Sequence, residues 1–296
     1  MQPSNRVLIT GITGTLGTQL TKYLLETYED DIEIVGISRD EQKQNSFPIN
    51  DHRVKLKLAD IRNKDSLYRA AMGQVWEGYD CIFHLAALKC APQLEDNPHE
   101  AIATNITGTE NILDMARELQ SRVCFTSSDK AVYPVNIYGM TKAVGEKLVL
   151  ADPINVVCRY GNVLGSRGSI LPSLVKSLRL HKKAHITDPE MTRFWLPIED
   201  VAAFVATQGM DGEGGLHIPP HMQSSAVKDL IHATAELLNI PAFELENIGV
   251  RPGEKMHEHL ETRYENGHRD ISSGDIERLV SKDGIKEIIR GSVCTL

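Results

Sequence analysis

The chain has 296 residues, of which 41% are hydrophobic, 24% charged and 5% aromatic, a usage that excludes disorder, collagen and coiled coil. The formal charge is −8, and the halves on either side of residue 150 each carry 16 basic and 20 acidic residues, so neither holds the basic reservoir that a nucleic-acid backbone requires. The five cysteines (Cys81, Cys90, Cys124, Cys158, Cys294) are odd in number and form no CxxC pair, which fits small buried hydrophobes in a reducing compartment. No apolar run approaches the ~20 residues of a membrane span, and the first residues show no basic stretch followed by an apolar one. These features lead to the expectation of a cytoplasmic protein without membrane or nucleic-acid partners.

From the N-terminus, short β-rich runs alternate with helical patterns: Arg6 to Thr10, then Leu16 to Tyr28; Ile32 to Ser38; Val54 to Leu58, then Lys64 to Gly73; Cys81 to Leu85. Alternation of this kind marks βαβ units and a parallel sheet. A long helix is expected over Pro98 to Leu119, a strand over Val123 to Thr126, a helix over Ile137 to Leu150 and a strand over Asn155 to Arg159. The fold class is α/β: a Rossmann-type doubly wound parallel sheet of six or seven strands. Beyond residue 160 the pattern loosens among prolines, predicting a smaller C-terminal substrate-binding lobe (161–296) on a dinucleotide-binding core (1–160), with parts of 193–208 returning to the core. Glu265 to Asp275 reads as a polar loop.

The strand ending at Thr10 runs into Gly11-Ile12-Thr13-Gly14-Thr15-Leu16-Gly17, a GxxGxxG string that opens a helix. Its glycines permit a tight turn and let backbone N–H groups approach a pyrophosphate. The second strand ends in Ser38-Arg39-Asp40, with Lys43 beyond, where a hydroxyl and a guanidinium suit a 2′-phosphate. NADP is therefore expected, with Asp40 leaving NAD as the alternative. Asp60-Ile61 ends the third strand, where a carboxylate can meet the adenine amine, and Ala86-Ala87 follows the fourth with small side chains.

Tyr138 and Lys142 form YxxxK, one helical turn apart on one face. Lysine and an oxidised nicotinamide together stabilise tyrosinate, a base for removing an alcohol proton. Ten residues before Tyr138, a strand ends in Ser127-Ser128-Asp129-Lys130. A simple alcohol dehydrogenase needs the hydroxyl, the tyrosine and the lysine but has no use for Asp129 and Lys130. An added acid and base fit β-elimination beside a transient ketone, the alternative being a surface salt bridge.

From Val7 to about His259 the chain resembles the extended short-chain dehydrogenase/reductases, and among them the UDP-N-acetylglucosamine 4,6-dehydratases that invert C5. The strings that carry the likeness are SRDEQKQ from Ser38, HLAALKCAP from His84, TNITGTENIL from Thr104, SSDKAVYPVNIYGMTK from Ser127, RYGNVLGSRGSILP from Arg159, ITDPEMTRFW from Ile186 and RPGEKMHE from Arg251. The resemblance implies that Tyr138 takes the C4 hydroxyl proton as hydride passes to NADP, that Lys130 removes the C5 proton and that Asp129 protonates the departing C6 hydroxyl. Hydride then returns to C6, with Ser128 and Lys142 completing the catalytic set. It also implies cofactor contacts at Gly11, Thr13, Gly14, Thr15, Leu16, Gly17, Ser38, Arg39, Asp40, Lys43, Asp60, Ile61, Leu85, Ala86, Ala87, Lys89, Asn105 and Val163, besides Tyr138 and Lys142. Substrate contacts, to a UDP-N-acetylhexosamine, fall on Lys89, Asn162, Arg167, Gly168, Ser169, Ile170, Leu171, Pro172, Arg193, Arg251 and Glu254, and a homo-oligomer is implied. Ser128 stands where relatives commonly carry Thr.

A 4-epimerase or ketoreductase of the same scaffold, or a non-catalytic NADP-sensing protein, is the competing reading. His257-Glu258-His259 has metal-like spacing, but no further ligands cluster around it and a helix would point the imidazoles apart, so no metal is expected. His84 reads as a satisfied core histidine, and Cys90 carries no mark of a reactive thiol.

Overall fold

In β1 (Asn5–Thr10), Val7 and Ile9 point to one face and Leu8 to the other, and all three are fully buried. The computed structural model describes residues 5–72, 78–220 and 222–294, and the expected end of the third helix at Gly73 lies outside them. After β1 come α1 (Thr15–Thr27), β2 (Ile32–Ser38), α2 (Glu41–Asn45), β3 (Val54–Leu58), α3 (Lys64–Met72) and β4 (Cys81–His84). They are followed by α4 (Ala91–Asp96), α5 (Pro98–Ile102), α6 (Gly108–Glu118), β5 (Arg122–Ser128), α7 (Ile137–Val149) and β6 (Val156–Tyr160).

The single helix expected over Pro98 to Leu119 is broken by a π turn over Ala103–Thr107, which inserts one residue and rotates the helix face that follows. β5 runs two residues past its expected end because Ser127 and Ser128 remain in register with Arg159 and Tyr160 of β6. Asp129–Ala131 then forms a single 3-10 turn.

The second part of the chain contains β7 (Asn162–Leu164), α8 (Ile170–His181), β8 (Lys183–Ile186), β9 (Thr192–Pro197), α9 (Ile198–Met210), β10 (Gly215–His217), β11 (Gln223–Ala226) and α10 (Val227–Leu237). It ends with β12 (Glu244–Asn247), β13 (His259–Glu261), α11 (Arg263–Asn266), β14 (Ile271–Ser272) and α12 (Lys282–Cys294). Glu265 to Asp275 is thus no plain loop: it holds the second half of α11 and all of β14, and a capping box at Thr262 and Glu265 starts the helix.

The main sheet has the strand order β10-β6-β5-β4-β1-β2-β3, with every pairing parallel. On one face Val7, Ile9 and Phe83 pack with Leu20 and Leu24 of α1 and Val201 and Val205 of α9. On the other, Leu8, Ile37 and Ile82 pack with Leu67 of α3 and Ile112 and Met115 of α6. The chain returns to the core through α9 and β10, while Thr192–Pro197 pairs with β7 and β11 in a separate sheet. The lobe has its own core, in which Leu174, Leu178, Trp195, Leu230, Ile231, Ile285 and Ile289 bring α8, β9, α10 and α12 together. Strand order reverses between β1 and β4, and a crevice opens at the carboxyl ends of these strands, the usual ligand position in open α/β sheets.

Candidate active site

One cavity of about 1260 Å³ runs along that carboxyl edge, from the glycine-rich turn to the lobe. At its core end Gly11 has φ +71°, and a Cβ there would lie 3.0 Å from the backbone of Ala86, so only glycine lets the first and fourth strand ends approach this closely. The N-terminus of α1 faces the same space, and Gly14 and Gly17 line it with Thr13, Thr15 and Leu16. Ser38, Arg39, Asp40, Lys43, Asp60, Ile61, Leu85, Ala86, Ala87, Lys89 and Val163 line it as well.

Two of these carboxylates are already engaged. Asp40 caps α2 by accepting from the Lys43 backbone N–H and pairs with the Lys43 ammonium at 2.7 Å. Both oxygens of Asp60 accept from the guanidinium of Arg62, and Arg39 lies 3.9 Å away. Asn105, expected at the cofactor, is buried away from the cavity, and Thr104 lines it instead, because the π turn displaces the helix face. Asn105 accepts from Leu88 N–H at 2.8 Å and donates to the Leu88 carbonyl and to Thr141 of α7, so it pins a cavity loop to the helix that carries Tyr138.

α7 is positioned by its cap. Asn136 accepts from Gly139 N–H at 2.8 Å and donates to the Gly253 carbonyl of the lobe, while Glu95 accepts from Ile137 N–H. A Cβ at Gly139 would stand 2.2 Å from the Lys130 carbonyl, so this glycine lets the helix abut the turn that carries Lys130. Ser128, Lys130, Tyr138 and Lys142 all line the cavity. Burial pushes the Lys142 ammonium down to about 7 against the pull of Glu146, and the amine lies 4.0 Å from the centre of the Phe125 ring. Burial raises the Tyr138 phenol, while Lys130 and a hydrogen bond with Ser128 draw it back.

Asp129 is fully buried behind the cavity wall; its Oδ1 accepts from Ser128 Oγ at 2.9 Å and Lys130 Nζ at 3.0 Å. Burial and the charge of Glu258 raise its carboxyl in spite of Lys130. Lys130 also donates to Asn162 Oδ1 at 3.3 Å and lies 3.6 Å from Glu258. Burial alone would lower the Lys130 ammonium, but Asp129 and Glu258 outweigh it and raise the value.

On the lobe side, Asn162, Arg167, Gly168, Ser169, Ile170, Arg193, Arg251 and Glu254 line the cavity, whereas Leu171 and Pro172 do not. Leu171 packs in the lobe core because the helical period of α8 turns Ile170, Ser173, Leu174 and Ser177 to the cavity. Arg167 reaches across to the glycine-rich turn, donating to the Thr13 carbonyl by its guanidinium and to Thr15 Oγ by its backbone N–H. Arg251 is exposed, and its backbone N–H donates to Glu254.

His257 and Glu258 lie in an extended segment leading into β13 rather than on a helix, and no metal-ligand cluster occurs among the described residues. Their neighbours are specific: His257 meets Thr192 at 2.8 Å, and Glu258 is buried between Lys130 and Lys255. Sequence reasoning did not place Glu258 beside Lys130, although it closes the RPGEKMHE string, and it also did not point to Thr104, Ser173 or Ser177, which line the cavity. His84 is fixed by Thr10 and Thr109 at 2.8 and 3.0 Å, and burial holds its ring neutral, down to about 3.

The family model described as polysaccharide biosynthesis protein matches residues 7–278. The chain belongs to this polysaccharide biosynthesis family. Within the family, a Campylobacter jejuni protein named UDP-N-acetylglucosamine 4,6-dehydratase (inverting) is 40% identical over 88% of this chain and 80% of its own. A Rickettsia felis protein named UDP-glucose 4-epimerase is 36% identical over 90% of this chain and 81% of its own. The X-ray structure of Pen from Bacillus thuringiensis superposes with a TM-score of 0.88 at 29% identity, covering 98% of both chains. The chain is thus a nucleotide-sugar dehydratase or epimerase of the extended short-chain dehydrogenase/reductase fold. Among the described residues of this family member, no helix is long and apolar enough to cross a membrane.

Proposed function

We propose that the protein is a UDP-N-acetylglucosamine 4,6-dehydratase that inverts C5 and works with a resident NADP. The observation that carries this reading is the Asp129–Lys130 pair, 3.0 Å apart and next to Ser128, Tyr138 and Lys142, because alcohol oxidation alone leaves that acid and base without a task. The Gly11 turn, the N-terminus of α1 and the small strand ends at Ala86 and Ala87 fit a dinucleotide pyrophosphate. NADP is favoured over NAD because Asp40 is occupied by its helix cap and Lys43, while Arg39 and Ser38 face the cavity. When bound, that cofactor supplies reversible hydride transfer.

The chain's own residues handle the protons. Tyr138, assisted by Lys142 and Ser128, takes the C4 hydroxyl proton. Lys130 receives the C5 proton, which the adjacent C4 ketone makes acidic. Asp129 supplies the proton that leaves with the C6 hydroxyl, passed through Ser128 Oγ at 2.9 Å because the carboxyl sits behind the wall. Lys89, Asn162, Arg167, Arg193 and Arg251 supply donors for the sugar and its diphosphate. C5 inversion rests on the name of the Campylobacter jejuni relative.

The 36% identical relative named as an epimerase supports a second reading, C4 epimerisation without water loss. Proton NMR of UDP-N-acetylglucosamine with the purified protein in deuterium oxide separates the two. A new C6 methyl signal with deuterium at C5 and L-arabino couplings supports the dehydratase, and Lys130→Ala then abolishes it. A galacto-configured product without a methyl signal, retained in Lys130→Ala, supports the epimerase and overturns the first reading.

A further inference from the structure

Glu258 lies outside every role assigned above, yet its surroundings are those of a working group. It is about 4% exposed and comes from the lobe, while the acid–base pair comes from the end of β5. Its Oε1 is 3.6 Å from Lys130 Nζ and its Oε2 is 2.8 Å from Lys255 Nζ, so four charges alternate in a row: Asp129, Lys130, Glu258, Lys255. The lobe half of the row is braced. Glu258 N–H donates to Ser273 Oγ at 2.9 Å, which also bonds Thr192, and Lys255 Nζ donates to the Val132 carbonyl at 2.9 Å. Arg193 and Tyr138 also face Lys130, the first opposing its positive charge.

We propose that Glu258 is a positioning residue that keeps the shared proton on the Asp129–Lys130 pair and stabilises the ammonium formed when Lys130 takes the C5 proton. The proposal rests on the dehydratase reading. In the competent pair Lys130 is a neutral amine and Asp129 a carboxylic acid. The C5–H bond breaks, its proton goes to Nζ and its electrons form the C5–C6 double bond as the C6–O bond breaks. The proton from Asp129 leaves with that oxygen as water, and the pair ends as ammonium and carboxylate with its proton count unchanged. A third, fixed negative charge at 3.6 Å raises the pH at which the pair gives up its proton, because two interacting groups titrate as a unit.

The test uses the full-length holoenzyme and compares Glu258→Gln, Glu258→Asp and Lys255→Gln with the parent chain. Three quantities are followed against pH: C5 deuterium incorporation, reduction of the bound nicotinamide on adding sugar nucleotide, and the isotope effect of C5-deuterated substrate. In Glu258→Gln the alkaline limb of C5 exchange moves down by about one pH unit or more. C5 exchange at neutral pH falls about ten-fold and the isotope effect rises, while nicotinamide reduction stays within about two-fold, since Glu258 has no part in C4 oxidation. Glu258→Asp restores part of the loss, and Lys255→Gln moves the limb upward by removing the competing cation. An unmoved limb in a folded Glu258→Gln, or equal losses of C4 oxidation and C5 exchange, overturns the assignment. Should Glu258→Gln fold poorly, the sign of the Lys255→Gln limb decides. If the parent chain makes no 6-deoxy product, the dehydratase reading fails first; a normal parent with an unmoved limb sinks only the role of Glu258.

Discussion

Lys142 illustrates what burying an ionisable group costs at a single residue. Its amine is buried beside Phe125, and its value near 7 lies below the ordinary 10.5, so the fold disfavours the charged form. The sign follows from linkage: below about pH 7 both folded and unfolded chains carry the proton and the penalty is full, and it is relieved as pH rises from there toward 10.5. Lys142→Met therefore abolishes turnover and raises Tm at pH 6 to 7 without added dinucleotide, by about 2–4 °C for each kcal/mol relieved. The gain shrinks at pH 9, and thermal unfolding at the two pH values checks it. Tyr138 and Lys142 were legible because a four-residue spacing on a helix suffices to place them together. Glu258 was not: between two histidines it reads as metal-like spacing, and although Lys255 lies only three residues before it, Lys130 meets it only where the lobe packs on the strand ends.

At the scale of elements, the glycine-rich turn, the π turn before α6 and the helical period of α8 decide which side chains face the cavity. Gly11 needs a left-handed backbone and a close approach to Ala86. Gly11→Ala adds backbone strain of about 1–2 kcal/mol, and expressed in the bound loop this weakens dinucleotide binding roughly ten-fold. Isothermal titration with NADP and a parallel melting curve separate lost affinity from lost stability. The strand–turn–helix string was readable because each glycine answers a local steric demand. The π turn was not, since Ala103–Thr107 satisfies an α-helical pattern equally well and the register changes only where Asn105 finds Leu88 and Thr141. The same limit explains α8, whose linear string from Arg167 to Pro172 splits between cavity and lobe core once the helix winds.

Across the molecule, Arg159 of β6 joins core and lobe. Its guanidinium meets Glu146, one helical turn beyond Lys142, together with the Leu260 carbonyl and Glu265. Removing Arg159 alone leaves the buried Glu146 carboxylate uncompensated, a loss of about 3–5 kcal/mol. Burial works against the Glu265 carboxylate, but Arg159 and the Thr262 cap hold it below the usual 4.5. Its contribution is accordingly complete above about pH 4.5 and is lost as pH falls through the lowered value. Glu265→Gln should melt at a lower temperature than the parent chain at pH 7, and the two curves should converge on acidification. A constant gap between them would show that the carboxylate charge is not what holds the lobe.

The sequence by itself determined the parallel sheet, the glycine-rich turn after the first strand and the one-turn spacing of Tyr138 and Lys142 on one helix, because periodicity, glycine sterics and helical spacing act over a few residues. It also brought Asp129 and Lys130 to the end of a strand, where adjacency alone makes them a pair. Tertiary structure decided the rest: that Asp129 lies behind the cavity wall, that Arg167 crosses to the glycine-rich turn, and that Glu258 and Lys255 extend the pair into a row of four charges. The Arg167 crossing and the Lys130–Glu258 contact join segments more than a hundred residues apart, and the electrostatic strength of the row arises only after burial removes the water that screens these charges in the unfolded chain.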